Sequence, residues 1–351
     1  MRKVFHLIET MNPEDGGPFV STQLLLNLRL EQFSQHIIYH SLDGLSYLSN
    51  STNEEIVKIN SKFEMKSGNR FLRAVIRANN TYPNSIFIIH GVWDPCLWLP
   101  MLLLRSKCTV MPKGMLSPYS FKRKRMFKTG LVFLFKLFKI NFTPTSEYES
   151  SQLSHLGLRT TGILPYYLEN ISRTTGQKAS KPHGLKILYM SRIDPKKGLL
   201  EFLKKHSHLF SGKEISLDVF GDGPEHYIKN CRELSKGLNI NFKGWFSGNK
   251  ELLYEQYDIF LLPTYDENFS MAILEALSNG LAVLTTKQSS WNLIPEFGGL
   301  STEIEDFDNF ILKCFENHHF LNKTKAAAKR TALGYSSKNS SRALFEILSS
   351  I

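Results

Sequence analysis

This 351-residue chain has few cysteines, no long apolar run and fewer acidic than basic residues, 32 against 43. The four cysteines, at positions 96, 108, 231 and 314, are widely spaced and form no C-x-x-C pair. A disulfide framework and a zinc site are therefore not expected, and reduced thiols in the cytoplasm are the simplest account. No apolar run approaches the length of a membrane span, and the run near Met1 is too short for a signal peptide.

The remaining composition is that of a folded protein with an anionic partner. The chain is 42% hydrophobic and 21% charged, which is ordinary for a folded soluble protein, and its length suffices for two domains with separate cores. Its net charge of +11 favours a nucleic acid, lipid headgroups or a phosphorylated substrate as the partner.

Strand and helix patterns alternate twice along the chain, which predicts two doubly wound α/β domains that face each other across a cleft. We expect an N-terminal Rossmann-like domain over residues 1–171 and a second over residues 172–335. A linker composition, rich in Thr, Lys, Ser and Gly, marks residues 172–184. Residues 336–351 have the apolar spacing of a last helix.

The stretch from Thr264 to Gly280 follows an apolar strand and opens a helix, a place where open parallel sheets bind phosphates. Asn268 or Ser270 can cap this helix, and Asn279-Gly280 can end it. Glu275 lies among apolar residues, so it either reaches water along a narrow polar stripe or meets hydrogen-bond donors such as ribose hydroxyls. Glu267, just before the helix, can reach the opposite end of a ligand whose phosphates sit on the helix start.

Cationic residues follow another predicted strand. Arg192 at a strand end and Lys197 at the next helix start can converge on a diphosphate, and the alternative is plain surface charge. Gly223 lies in a turn after the next strand, and Trp245 either stacks on a base or packs.

Three of these patterns together resemble glycosyltransferase family 4: E-x7-E at Glu267 and Glu275, R-x4-K-G at Arg192 and Lys197, and G-x-G-P ending beside Gly223. Members of that family are retaining enzymes of the GT-B fold that use nucleotide-sugar donors. The resemblance implies that Glu267 contacts the donor sugar, Glu275 the ribose, and Arg192 with Lys197 the diphosphate. It also assigns donor-binding roles to the following residues: Asn268, Phe269, Ser270, Gly223, Trp245.

Weaker matches to the same family occur in the first half. A Gly-Gly turn ending at Gly17 can be turn chemistry alone, but in the family this loop lines the cleft near the donor phosphates. His90, in His-Gly-Val-Trp at the end of a strand, corresponds to an active-site histidine that bonds the sugar or the acceptor. Lys113 lies in a P-x-G-M-L-x-P stretch similar to transferases that build bacterial surface polysaccharide and lipopolysaccharide, on the acceptor side. In this architecture the helix within 336–351 returns to the first domain.

Residues 121–139 combine a basic cluster with large apolar side chains and contain no acid. Such a helix can lie in an anionic membrane interface, or it can pack in the core behind a solvated basic start. No recognisable nucleic-acid module accompanies it. Asp306 and Asp308 match the metal-binding D-x-D motif, but their place before a late helix indicates helix-start chemistry.

The combined prediction is a hexosyltransferase that takes its sugar from a nucleoside diphosphate and acts on a glycan or lipid-linked acceptor. It would work in the cytoplasm or at the inner face of the cytoplasmic membrane, with no metal or other cofactor obligatory. Three rival interpretations remain open: a nucleotide-sugar epimerase of the same fold, a non-catalytic peripheral membrane protein, and a nucleic-acid binder.

Overall fold

The computed structural model describes residues 1–9, 11, 17–39, 68–122, 124–169 and 184–351. The predicted linker, apart from Gly184, and the first glycine of the Gly-Gly turn lie outside the described residues.

Contacts divide the chain into two compact units. Unit 1 contains Met1–Tyr167 together with Ser337–Ile351, and unit 2 contains Leu168–Ser336. The last helix is therefore part of unit 1, where Ser340 donates a hydrogen bond to the carbonyl of Pro165 at 2.9 Å.

Unit 1 is built on a six-stranded parallel sheet in the order β2-β1-β3-β4-β5-β6. Its elements before the crossing to unit 2 are β1 Arg2–Leu7, α1 Gly17–Leu26, β2 Phe33–Ile38, α2 Gly68–Thr81, β3 Ile86–His90, α3 Pro95–Leu103, β4 Cys108–Met111, α4 Arg125–Leu137, β5 Asn141–Phe142, α5 Glu147–His155 and β6 Arg159–Thr160.

Unit 2 has a second six-stranded parallel sheet in the order β12-β11-β10-β7-β8-β9. Its elements are β7 Leu185–Met190, α6 Leu199–His206, β8 Ile215–Phe220, α7 Glu225–Leu234, β9 Ile240–Gly244, α8 Lys250–Tyr254, β10 Ile259–Leu262, α9 Met271–Ser278, β11 Ala282–Thr286, β12 Gly299–Thr302, α10 Phe307–Glu316 and α11 His318–Leu333. The chain then returns to unit 1 as α12 Ser337–Ser350.

The central strands are almost wholly apolar because helices cover both faces of a parallel sheet. Every residue of β10 is buried, and Ile259 pairs in register with Ile187 of β7. The same holds for β3, all of whose residues are buried.

Strand order reverses once in each sheet. In unit 1 the reversal lies between β1 and β3, and in unit 2 it lies between β7 and β10. Loops at such a switch point diverge and leave a crevice at the carboxyl ends of the strands, where α/β proteins bind ligands. The fold therefore marks one candidate location in each unit.

The cysteines and the helices can be compared with the sequence in two further respects. All four cysteines lie in the described part of the chain and are free. Among the described helices, none combines the length and the apolar character needed to cross a bilayer.

Candidate active site

Two loops meet at the switch point of unit 2, one after β7 and one after β10. Tyr265 donates its backbone N–H to the carbonyl of Lys196 at 2.8 Å. Gly198 has φ +71°, and a Cβ placed there would lie 1.8 Å from the carbonyl oxygen of Pro263. Only glycine allows this backbone-to-backbone approach, so the two loops are locked together through Gly198.

This junction brings two cation–carboxylate pairs side by side. Lys197 Nζ forms an ion pair with Glu267 Oε2, and the two side chains are only 13% and 15% exposed. Lys196 Nζ lies 2.8 Å from Asp266 Oδ2. Adjacent strands thus place the predicted diphosphate cation and the predicted sugar-binding acid in direct contact, in one ordered and mostly desolvated pair.

Arg192 belongs to the same junction but is held differently. Its side chain is 72% exposed, and its guanidinium Nη2 lies 3.6 Å from Asp194 Oδ2, beyond hydrogen-bond distance. Asp194 instead caps the short turn after β7 by accepting the backbone N–H of Lys197 at 3.2 Å. The charge of Arg192 is therefore accessible from solvent, whereas that of Lys197 is balanced by Glu267.

The helix after β10 begins and ends as predicted. Ser270, with φ +60°, caps α9 by accepting the N–H of Ile273, which confirms one of the two expected caps. Asn279 and Gly280, with φ +76°, terminate the helix. Ser270 and Asn268 therefore lie at the start of a helix that opens beside the ion pairs.

Phe269 anchors this loop through its side chain. The ring is buried against Trp291 and Tyr335, and Trp291 Nε1 donates to the carbonyl of Phe269 at 2.6 Å. Any donor contact of Phe269 would accordingly come from its backbone.

Glu275 meets hydrogen-bond donors supplied by the protein. Its carboxylate accepts from Lys250 Nζ at 3.1 Å and from the Tyr254 hydroxyl at 3.1 Å. Burial, followed by the charge of Glu275, holds the pKa of Tyr254 well above its ordinary value, so the hydroxyl stays a donor. These contacts resolve how the carboxylate is accommodated among apolar residues, while its ribose role stays a prediction.

Gly223 and Trp245 follow β8 and β9 on the other side of β7. A Cβ on Gly223 would lie 1.9 Å from the carbonyl oxygen of Ile193, so this glycine lets its loop pack on the loop that carries Arg192. Trp245 is 74% exposed, which excludes a core-packing role. Its indole remains accessible to a planar ligand.

The switch point of unit 1 holds a buried polar chain. His90 ends β3, and its Nε2 lies 2.9 Å from Nδ1 of His6 on the neighbouring β1. Nε2 of His6 lies 2.8 Å from Oε1 of Gln35 on β2. Burial lowers the pKa of His6 to about 4 and that of His90 well below its usual value, with Lys113 adding to both shifts, so both rings are neutral.

Lys113 lies next to these histidines, in a loop after β4. Its Nζ donates to Ser21 Oγ at 3.0 Å and to Thr22 Oγ1 at 2.8 Å, both on α1. Burial lowers the pKa of Lys113 to about 7, against an opposing effect of Glu149. The structure therefore brings Lys113, His90 and the helix that begins at Gly17 together in one cluster.

Gly17 itself is the first residue of α1 and is exposed. A Cβ built on it would meet no atom of the described chain within 4 Å. Packing against these residues therefore does not explain a glycine at this position.

Helix α4 has two different faces. Leu131, Val132 and Phe135 are buried in the core of unit 1. Met126, Phe133 and Leu137 lie on the opposite side and are at least 60% exposed. The sequence offered a membrane helix and a core-packing helix as alternatives, and the structure has one core-packing face and one exposed apolar face.

A metal site would need several His, Cys, Asp or Glu side chains close together. Within the ranges that the structure describes, no group of three His, Cys, Asp or Glu side chains is placed to hold an ion. Asp306 and Asp308 lie at the start of α10, where Asp306 accepts from Thr302 and Asp308 from the N–H of Asn309.

Several residues of both clusters were not identified from the sequence: His6, Gln35, Lys196, Lys250, Tyr254 and Asp266. One signal for two of them was present, because His6 and Gln35 are polar residues inside apolar strands, and buried polar groups need partners. Nothing in the sequence indicated which strands would be neighbours.

Comparison with known proteins places these observations in a class. Residues 172–292 match the family model described as glycosyl transferases group 1. The matched segment carries Arg192, Lys197, Glu267 and Glu275. This segment is therefore similar to the glycosyl transferases group 1, and the predicted resemblance to glycosyltransferases is confirmed.

Two curated relatives share part of this region. The chain is 30% identical over 112 residues to the sulfoquinovosyl transferase SQD2 of Arabidopsis thaliana, covering 31% of this chain and 21% of the relative. It is 29% identical over 133 residues to the UDP-Gal:alpha-D-GlcNAc-diphosphoundecaprenol alpha-1,3-galactosyltransferase of Escherichia coli, covering 35% and 33%. The matches thus span a fifth to a third of these relatives' own lengths.

Solved structures extend the likeness to the whole chain at the level of the fold. HepE from Anabaena in complex with UDP-glucose superposes with a TM-score of 0.77 at 16% identity, covering 100% of both chains. The lipopolysaccharide outer core galactosyltransferase WaaB superposes with a TM-score of 0.71 at 16% identity, covering 100% of this chain and 99% of that one. The predicted GT-B fold is confirmed.

Proposed function

We propose that this protein is a retaining glycosyltransferase that moves a hexose-type sugar from a nucleoside-diphosphate sugar to a hydroxyl of a lipid-linked oligosaccharide or surface-polysaccharide acceptor. One observation carries the proposal: Arg192, Lys197 and Glu267 converge at the switch point of a parallel sheet, within the segment that matches the family model. Cations beside an ordered carboxylate suit a ligand with a diphosphate at one end and a sugar at the other.

The main electrostatic task in such a transfer is to stabilise the charge that builds on the departing diphosphate. Arg192 would stabilise this charge with its accessible guanidinium, and Lys197 would do so with an ammonium group held in position by Glu267. Glu267 in turn orients the donor sugar, and Glu275 holds the ribose. The acceptor hydroxyl attacks from the face that the diphosphate leaves, so the anomeric configuration is kept. Because side-chain cations supply the charge, the scheme requires no metal.

The names of the relatives support a donor class and an acceptor class. HepE was solved with UDP-glucose, and the name of the Escherichia coli relative specifies UDP-Gal and an acceptor linked to diphosphoundecaprenol. We infer that this chain uses a UDP-hexose and an acceptor carried on a lipid.

A lipid-linked acceptor fits the exposed face of α4. Residues 95–146 contain ten lysines and arginines and no acid, so this region accounts for most of the net charge of +11. Met126, Phe133 and Leu137 project from it as exposed apolar residues, and Leu103 of α3 is exposed as well. Apolar side chains beside exposed cations such as Lys124, Arg125 and Lys136 match an anionic bilayer, which takes the apolar groups into its acyl boundary and attracts the cations. We infer that α4 docks the enzyme at the cytoplasmic face of the membrane.

The decisive experiment on the activity is a thermal-shift screen with UDP, GDP and ADP and their hexose conjugates, followed by detection of the released nucleotide with a lipid-linked glycan. UDP and its sugar should raise the melting temperature of the parent protein by several degrees. Arg192→Ala should lose most of this rise while keeping the parent's own melting temperature. Arg330→Ala, at an exposed arginine on α11 of the same unit, serves as the matched control.

Two results would overturn the proposal. If no nucleotide or nucleotide sugar shifts the melting temperature, the cluster is not a donor site. If the donor sugar is converted without any acceptor, the protein is an epimerase of the same fold.

Membrane docking is tested with vesicles of phosphatidylglycerol and of phosphatidylcholine. The protein should float with the anionic vesicles only. Phe133→Ser combined with Leu137→Ser should release it, whereas Leu252→Ser, at a similarly exposed leucine on α8 of unit 2, should not. Equal binding by all three proteins would contradict a role for α4.

A further inference from the structure

The orientation of the Gln35 amide is fixed by the backbone around it. Its Nε2 donates to the carbonyl of Leu25 at 2.9 Å and to that of Leu28 at 2.8 Å, at the end of α1. The oxygen Oε1 must then face His6, because the nitrogen has both of its hydrogens engaged. Gln35 thus presents an acceptor, and only an acceptor, to the histidine.

This acceptor determines where the proton of His6 lies. Nε2 of His6 is 2.8 Å from Oε1, so Nε2 carries the hydrogen. The ring is fully buried beside the ammonium of Lys113 and with His36 nearby, so it carries no second proton. Its Nδ1 is consequently bare and accepts a hydrogen bond.

The proton position of His90 is determined in the same way. Its Nε2 lies 2.9 Å from the bare Nδ1 of His6 and must donate to it. In a neutral ring the other nitrogen, Nδ1, then has a lone pair and no hydrogen. This Nδ1 is buried, the residue being 4% exposed, and it has no hydrogen-bond partner among the described residues.

The location of His90 gives this nitrogen a use. The residue ends β3 at the switch point of unit 1, beside Lys113. A nitrogen that can only accept a hydrogen bond will pair with a hydroxyl group, and it will repel a phosphate oxygen. Lys113 supplies donors to the same cluster, so the pair is suited to a group that both gives and takes hydrogen bonds, as a sugar hydroxyl does.

We propose that Gln35 and His6 are positioning residues, which act in relay to hold His90 with its proton on Nε2 and its Nδ1 ready to accept a hydrogen bond from a substrate hydroxyl. The identity of that hydroxyl as one on a sugar rests on the proposed function. The relay itself does not, because it is defined by the hydrogen bonds of the protein alone.

The relay is tested by long-range proton–nitrogen correlation NMR on the full-length protein labelled with nitrogen-15 at histidine, with His6→Gln and His90→Gln used to assign the signals. Both rings should show protonated Nε2 and bare Nδ1. Gln35→Leu should abolish this single tautomer in His6 and His90 and lower kcat at least tenfold, while the melting shift caused by UDP stays unchanged.

Gln152→Leu is the matched control, because it removes a partly buried glutamine of the same unit whose amide nitrogen bonds none of the described residues. It should leave both tautomers and kcat at the parent values. A proton on Nδ1 of His90 in the parent protein would overturn the relay, and this spectrum decides the matter even if Gln35→Leu does not fold. Unchanged tautomers in a folded Gln35→Leu would remove Gln35 from it. Failure of the glycosyltransferase proposal would instead appear as absent nucleotide binding in the parent protein.

Discussion

The two switch points occupy the same position in two similar sheets and have opposite electrostatic characters. In unit 2 the cluster is made of full charges, with Lys197 and Glu267 paired and Arg192 open to solvent. In unit 1 the corresponding cluster contains His6 and His90, both neutral, and burial brings the pKa of Lys113 to about 7. The comparison indicates that one location is suited to a charged ligand group and the other to hydroxyls.

The difference originates in how each cluster is held in place. Unit 2 fixes its side chains by ion pairs across a backbone contact at Gly198, so Lys197 and Glu267 keep full charges although both side chains are mostly buried. Unit 1 fixes its side chains by burying them within the first three strands, where charge is costly and neutral tautomers are favoured. Perturbing each support should therefore affect the two units in different ways.

The largest effect is expected from Gly198→Ala. The new Cβ would lie 1.8 Å from the carbonyl oxygen of Pro263, at a φ of +71°, so the loops of unit 2 would have to separate. We expect a loss of roughly 4 kcal/mol or more in the free energy of unfolding, measured by urea titration. Gly212→Ala is the control, because its φ is +68° but its Cβ would meet no described atom within 4 Å. It should cost only about 1 kcal/mol of backbone strain. Equal losses would mean that the loop contact is not what requires glycine.

Next in size is the ion pair of unit 2. Lys197→Met and Glu267→Gln should each lower kcat/KM by about 10²- to 10³-fold, the scale of lost transition-state stabilisation. Each should also lower the unfolding free energy by about 1–3 kcal/mol, because the remaining charge is left mostly buried without its partner. The double variant should regain part of that stability and none of the activity.

The neighbouring pair supplies the control for this cycle. Lys196→Met with Asp266→Asn removes an ion pair of similar length, and it should change stability more than kcat/KM. A double variant of Lys197 and Glu267 that recovers activity along with stability would show that the pair acts through folding alone.

A smaller effect, confined to acid, is expected from the histidines of unit 1. Their pKa values are lowered in the folded chain, so below pH 6.5 the unfolded chain binds more protons than the folded chain. The free energy of unfolding therefore decreases as the pH is lowered. For His6, whose pKa is about 4, the loss between pH 6.5 and pH 4 amounts to about 3 kcal/mol.

His6→Gln should flatten this acid slope in urea titrations at a series of pH values. His155→Gln, at an exposed histidine on α5, should keep the parent slope. An unchanged slope in His6→Gln would contradict a neutral buried ring.

Much of unit 2 could be predicted from the sequence because its chemistry is local. A strand, a turn and a helix start lie within a few residues of one another, so the places of Arg192, Ser270 and Gly280 followed from spacing. The partners of these residues could not be predicted in the same way. Lys197 meets Glu267, and Glu275 meets Tyr254, only because β7 pairs with β10 and α8 lies near α9.

Less of unit 1 could be predicted from the sequence, because its polar residues find their partners on strands that are distant in the chain. His90 could be located at the end of a strand, but its partner His6 on β1 is 84 positions away in the chain, and Gln35 on β2 is 29 positions away from its own partner, His6. His6 and Gln35 reach each other only through the sheet order β2-β1-β3. The two faces of α4 likewise depend on which other residues pack against the helix. The sequence of residues 121–139 does not contain this information.

The smallest change in stability, and the sharpest test of unit 1, is expected from Gly17→Ala. Its Cβ would meet none of the described atoms within 4 Å, and alanine favours helix over glycine by up to about 1 kcal/mol, so the unfolding free energy should stay level or rise slightly. Gly130→Ala within α4 has equally open surroundings and should show the same small gain with unchanged kcat/KM. If the start of α1 lies against the donor phosphates, Gly17→Ala alone should lower kcat/KM tenfold or more, because a methyl group would occupy the space of the ligand. Equal activity of the two variants would assign Gly17 to turn chemistry and leave Lys113 and His90 as the contribution of unit 1.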